Sequence, residues 1–170
     1  MTLDELERLA VRKPEALAAL SDNLVFGEGD PDAQLLIVGE APGHDEDRLG
    51  RPFVGRAGRL LDQILASVGI EREQVYITNM VKFRPPGNRN PTPAEIAASE
   101  PVLLEQIAII RPQVIATLGN VPTQHFRGSR EGISRCHGNW YEWRGVPLMP
   151  LYHPAYLLRN QNREKGSPKW

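Results

Sequence analysis

The sequence predicts an α/β fold, a mostly parallel sheet sandwiched between helices, and three observations carry that prediction. Short apolar runs such as Leu35-Leu36-Ile37-Val38 and Val114-Ile115-Ala116-Thr117-Leu118 are too short for helices, and each stops at a glycine, as buried strands do. Between them lie longer stretches with apolar residues at helical spacing, so strands alternate with helices. The chain of 170 residues is long enough to bury one core, and no repeat or low-complexity segment divides it, so residues 1–170 read as a single domain.

In order along the chain, Leu3, Leu6, Leu9 and Ala10, then Leu17, Ala18 and Leu20, give one kinked or two short helices around Pro14. Asp22 to Asp32 is a loop rich in Gly and Asp. The strand ending at Val38 runs into the turn Gly39-Glu40-Ala41-Pro42-Gly43, where glycine permits close approach of the backbone and main-chain N–H groups are expected to face a ligand. His44-Asp45-Glu46-Asp47 reads as a charged loop leading to Gly50-Arg51-Pro52-Phe53-Val54-Gly55. Phe53 belongs to no periodic stripe there, so it either stacks on a flat ligand or plugs the core beneath its loop. Leu60, Leu61, Ile64, Leu65 and Val68 make an amphipathic helix that Gly69 ends. Gln74 to Thr78 is the next strand and stops at Asn79. Arg84 to Pro93 is a proline-rich surface loop carrying Arg84, Asn88, Arg89 and Asn90. Thr92 and Glu95 form a capping box for a helix reaching about Ile110. After the strand ending at Gly119 comes a short helix, then paired strands over Asn139–Trp143 and Val146–Leu151, the second leading to His153-Pro154. Trp140, Tyr141 and Trp143 read as strand packing.

Composition narrows the classes. The single cysteine, Cys136, excludes an intramolecular disulfide and suits a reducing compartment, so a cytoplasmic setting is expected. The N-terminus lacks a basic start with an apolar core, so no secretory signal is visible, and no stretch is long enough to span a membrane. The net charge of −1 hides an asymmetry: twelve acidic residues face four basic ones through Gly50, whereas eight basic face three acidic from His125 on. That basic third either meets phosphates or is a solvated surface.

Four strands end in loops carrying Glu40 with Ala41, Asn79, Gly119 and His153, and parallel strands bring such loops together at one edge. A neutral amide presents a donor beside an acceptor, which matches the O4 and N3–H of uracil's pairing edge. An imidazole can donate to an oxygen gaining negative charge. Taken singly, an Asn at a strand end is also a common cap and a lone His is also a common structural residue. A dinucleotide-binding reading fails, because Gly-x-Gly-x-x-Gly is missing.

Gly39-Glu40-Ala41-Pro42-Gly43 with Glu46-Asp47, Gly50-Arg51-Pro52-Phe53-Val54-Gly55, Thr78-Asn79-Met80-Val81-Lys82 with Arg84-Pro85-Pro86, and His153-Pro154-Ala155-Tyr156-Leu157-Leu158-Arg159 resemble the motifs of family 4 uracil-DNA glycosylases, in register from about Val25 to Lys169. The resemblance implies a three-layer α/β/α sandwich around a central, mostly parallel four-stranded sheet, and an enzyme that flips uracil out of DNA and hydrolyses its glycosidic bond. It implies that Asn79 reads the uracil edge, Phe53 stacks on the base, His153 stabilises O2, Glu46 guards C5 against thymine's methyl and Leu157 wedges into the duplex. Gly39, Pro42 and Gly43 complete the uracil site; Glu40 is the candidate for placing water, since Ala41 stands where related family 1 enzymes carry an aspartate and cannot act as a base. Arg84, Asn88, Arg89, Tyr156, Arg159 and Lys169 are the expected DNA contacts, uracil-containing DNA the expected partner, and the protein a monomer. The alternative is an inactive DNA-binding relative.

Two departures from the family follow. Its iron–sulfur cluster sits on four cysteines, but Phe83 fills the third position and the fourth falls near Ser99 or Glu100, so no cluster, no other metal and no cofactor is expected, with Phe83 packing against Leu17, Leu20 or Leu24 instead. Relatives also continue past the position of Trp170 into a last helix, so the chain is expected to be short or truncated there.

Overall fold

The computed structural model describes residues 1–160; Arg163, Lys165 and Lys169 lie outside them. Six strands, β1 (Glu28–Gly29), β2 (Leu35–Gly39), β3 (Tyr76–Asn79), β4 (Val114–Leu118), β5 (Tyr141–Trp143) and β6 (Val146–Leu151), form one sheet in the order β1-β3-β2-β4-β6-β5. The sheet is therefore larger than the expected four strands. The four inner strands β3, β2, β4 and β6 are all mutually parallel, as expected, and β1 and β5 add an antiparallel strand at each edge. The alternation of side chains across the pleat divides the core. Leu36, Val38, Tyr76, Ile115 and Leu148 belong to one cluster. Ile37, Ile77, Ala116 and Leu118 belong to another.

The helices cover both faces. α1 (Leu3–Ala10) is capped by Thr2, and a 3-10 turn at Glu15–Leu17 follows Pro14, so the N-terminal segment is two short helices. His44–Leu49 forms α2, where a loop was expected: no residue of it is buried, and it is built by its ends, with Glu46 accepting from the Gly43 N–H and Gly50 closing it in the left-handed region at φ 71°. α3 (Arg56–Ser67) contributes Leu61 and Leu65 to the second cluster. α4 (Pro93–Ile110) starts at the predicted Thr92–Glu95 capping box and puts Leu103, Ile107 and Ile110 into the first cluster, joined by Phe126 of α5 (Asn120–Arg127). α6 (Ile133–Cys136) lies against β6, and α7 (Pro154–Asn160) packs beside α3. The result is a three-layer α/β/α sandwich. No helix among the described residues is long and apolar enough to cross a membrane.

Register then sets the site. Gly39 pairs with Asn79 across β2 and β3, and Leu118 pairs with Leu151 across β4 and β6, so the carboxyl ends of the four parallel strands finish level.

Candidate active site

At that edge a pocket of about 240 Å³ is lined by Glu40, Ala41, Pro42, Gly43, Glu46, Phe53, Asn79 and His153, together with Asn88 and Arg89. The pairing of β2 with β3 continues past the strand ends, where Met80 N–H donates to Gly39 O at 2.9 Å and Val81 N–H to Glu40 O at 3.1 Å. The turn is thereby fixed to the segment that carries Asn79. Gly39 is small for a packing reason. A Cβ there would lie 2.5 Å from Asn79 Oδ1 and 2.5 Å from Phe53 Cζ, so only glycine lets the amide and the ring meet.

Phe53 is buried in the second cluster, so it packs the core beneath its loop, and it also lines the pocket. Its backbone is strained, at φ 51° without being glycine. Three neighbours hold it there. Arg72 Nη1 donates to Phe53 O at 2.7 Å and its Nη2 to Pro52 O, while Glu28 and Asp62 hold the guanidinium. Gly58 of α3 packs so closely that a Cβ would fall 1.9 Å from Phe53 O. Glu46 accepts from Val54 N–H at 2.9 Å and Gly55 N–H at 3.0 Å. The third N–H that Glu46 accepts belongs to Gly43, so this turn N–H is not turned toward a ligand, contrary to expectation. Both oxygens of Glu46 are occupied, and the residue ties the turn to the Phe53 loop.

The His153 ring lies 5.6 Å from that of Phe53, tilted by 31°. Its Nδ1 accepts the Ala155 N–H at 3.0 Å, which assigns the ring proton of a neutral imidazole to Nε2. Burial, and then the charge of Arg159, hold its pKa down to about 4. His153 is thus a neutral donor. Glu40 Oε1 is the one buried side-chain oxygen or nitrogen among the described residues without a hydrogen-bond partner, and burial pushes its carboxyl pKa up.

The outer residues fall into three groups. Asn88, at φ 59°, accepts from Arg84 Nε at 2.7 Å, and Arg89 makes a two-point pair with Glu95 at 2.8 and 2.9 Å, which holds the Glu95 pKa down to about 2. A second pocket of about 350 Å³ shares Glu40, Asn88 and His153 and reaches Tyr156 and Arg159, with Tyr156 stacked on Tyr152 at 4.9 Å. Leu157 is buried on the inner side of α7, so as it stands it packs the fold and offers no exposed wedge. Lys169 lies outside the described residues. Sequence reasoning gave no role to Arg72 or to Lys82, which is buried beneath Asn79. Lys82 stood in a quoted motif; Arg72 carried no local signal.

Fold and pocket define an α/β protein in which an amide, an aromatic ring and an imidazole line one pocket at the carboxyl edge of a parallel sheet. Residues 26–170 match the family model of the uracil DNA glycosylase superfamily. The chain is 51% identical over 144 residues to a type-4 uracil-DNA glycosylase of Thermotoga maritima, an overlap covering 84% of this chain and 75% of that protein. It is 46% identical over 152 residues to one from Sulfurisphaera tokodaii, covering 84% and 69% of the two chains. With one from Archaeoglobus fulgidus the identity is 45% over 175 residues, covering 96% and 87%. The chain belongs to the uracil DNA glycosylase superfamily and, within it, to the type-4 enzymes.

The donors that an iron–sulfur cluster needs do not fit here. Phe83 is buried in the first cluster with Leu17 and Leu20, with Leu24 at its edge, and Ser99 Oγ is spent on Glu95 O at 2.8 Å. The single cysteine, Cys136, is buried in α6, and no group of three or more His, Cys, Asp and Glu residues among the described residues could hold a metal.

Proposed function

We propose that this enzyme excises uracil from DNA by binding the flipped base between Phe53 and the Gly39–Gly43 turn, with Asn79 pairing to its O4 and N3–H edge. The observation that carries the reading is the meeting of an amide, a stacking ring and a neutral imidazole in one pocket. Uracil departs as an anion when the C1′–N1 electron pair moves onto the base, and the Nε2–H of His153 donates to O2 as charge builds there. Glu40, with an oxygen free of protein partners, orients the water that attacks C1′, and the proton this water gives up as the C1′–O bond forms neutralises the departed uracil anion. Glu46, immobilised by three N–H donors, is the wall that rejects thymine's methyl. Arg84, Asn88, Arg89, Tyr156 and Arg159 face the DNA strand. Nothing in the site favours an inactive relative, because each base-reading group is present.

A labelled oligonucleotide with a single uracil tests this. The expected products are free uracil and an abasic strand that breaks only after alkali, since no lysine lines the pocket to form a Schiff base. Cleavage before alkali, or no release of uracil, refutes it. His153→Ala should slow excision about a hundredfold, the scale of one lost oxyanion donor. We also infer that the enzyme works without an iron–sulfur cluster, supported by the misfit of Phe83 and Ser99. The purified protein should be colourless and keep its activity after dialysis against a chelator; stoichiometric iron or loss of activity overturns the inference.

A further inference from the structure

Lys82 is 2% exposed, and its ammonium makes three hydrogen bonds in the protein interior. It donates to Thr78 Oγ1 at 2.6 Å, to Gln106 Oε1 at 2.6 Å and to the main-chain oxygen of Asn79 at 2.7 Å. The acceptors fix its protonation. Thr78 spends its hydroxyl proton on Phe26 O at 2.7 Å, and the Gln106 amide N–H donates to the same oxygen at 2.9 Å. The Asn79 carbonyl can only accept. None of the three neighbours has a proton to offer Lys82, so a neutral amine, with two N–H bonds and a lone pair, would leave one acceptor unsatisfied and set its lone pair against an oxygen. Three acceptors require three protons.

Such a charge is expensive to hold. Burial by itself drives the lysine pKa well down, and an interior cation loses several kcal/mol of hydration. No carboxylate pairs with it among the described residues. A neutral donor could satisfy the Asn79 carbonyl without that cost. What distinguishes an ammonium is its field, and the residue it grips is the one whose side chain faces the departing base.

We propose that Lys82 is a positioning residue for excision: its ammonium clamps the carboxyl end of β3 so that Asn79 meets the base, and places an unpaired positive charge behind Asn79 that stabilises uracil as it becomes an anion. The inference rests on the uracil reading above. Lys82 does not touch the base and acts through Asn79. Its contribution therefore scales with the charge that the base must carry at the transition state.

The test compares single-turnover excision of uracil and of 5-fluorouracil, which has the same pairing edge and a more stable anion. In Lys82→Met, uracil excision should slow about tenfold or more and 5-fluorouracil excision by about threefold or less. Gln106→Glu sets a carboxylate against the ammonium in a side chain of the same shape, though it gives up the N–H to Phe26 O, and in a folded variant it should give the same base-dependent loss. Equal losses for the two bases in a folded variant, or none, overturn the proposal and leave Lys82 a structural donor. Nitrogen-15 NMR of the wild-type lysines should show one protected, charged ammonium at neutral pH; a neutral amine overturns it without any variant. Wild-type protein that releases neither base defeats the uracil reading itself, a separate outcome.

Discussion

Gly39→Ala adds one methyl group at the point where the Asn79 amide and the Phe53 ring meet. The new Cβ would lie 2.5 Å from Asn79 Oδ1, 2.5 Å from Phe53 Cζ and 2.9 Å from Phe53 Cε2. Ordinary carbon contacts begin near 3.4 Å, so each neighbour has to retreat by about 1 Å, the size of error that costs roughly a hundredfold in rate when it displaces a reacting geometry. Neither neighbour yields easily. Asn79 ends a fully buried strand, and Phe53 is held by Arg72, Glu46 and Gly58. Backbone conformation is not the obstacle, since Gly39 is not among the glycines with positive φ. The variant should fold with a loss of about 1–3 kcal/mol, as overpacked cores do. It should bind an undamaged oligonucleotide as the parent does, because the residues proposed to face DNA lie elsewhere, and its single-turnover uracil excision should fall about a hundredfold. A rate within about threefold of the parent, with the fold intact, would show that Asn79 and Phe53 need no such closeness and would refute the pocket described here.

Three more outcomes follow from the same contacts. Arg72→Gln releases the carbonyls of Pro52 and Phe53; free uracil should inhibit the variant about tenfold more weakly if the guanidinium maintains the stacking ring, and equally well if it does not. Phe83→Ala should cost about 3 kcal/mol in denaturant unfolding, the lower part of the usual range because an apolar pocket already adjoins the ring; a loss below about 1 kcal/mol would remove Phe83 from the core. Acid should act through His153 and Glu40. The folded His153 pKa of about 4 lies below its ordinary 6.5, so stability is complete above pH 6.5 and falls, by up to about 3 kcal/mol, as the pH drops toward 4. His153→Gln should abolish that slope, whereas the activity lost in acid should follow the raised pKa of Glu40 and vanish from the profile of Glu40→Gln.

What could be read in advance divides along physical lines. β2 and β4 were legible because strands covered on both faces are nearly continuous apolar runs, and glycine ends both. β1 was not, because two residues, Glu28 and Gly29, are too few to show a period; main-chain pairing with β3 and the ion pairs of Glu28 with Arg51 and Arg72 hold them. α2 escaped because His44-Asp45-Glu46-Asp47-Arg48-Leu49 has no apolar stripe; its cap bond and left-handed Gly50 form the helix. The pocket residues were legible as motifs, and the parallel register brought them together. The supports were not: Arg72 reaches Phe53 from a distant 3-10 turn, and Lys82 finds Gln106 across the core from α4. The burial of Leu157 was not legible because the sequence does not say which side of a terminal helix meets the domain.

The parallel register has a consequence for the newly made chain. Gly39, Asn79 and His153 leave the ribosome far apart in time, and the pocket is complete only when β6 has docked on β4 and carried His153 to the others. An unfinished polypeptide, or one that has lost its last strand to a protease, still displays its early motifs but has no imidazole beside the base. On the proposed mechanism such a chain lacks the donor to O2 and should excise uracil about a hundredfold more slowly, as His153→Ala should.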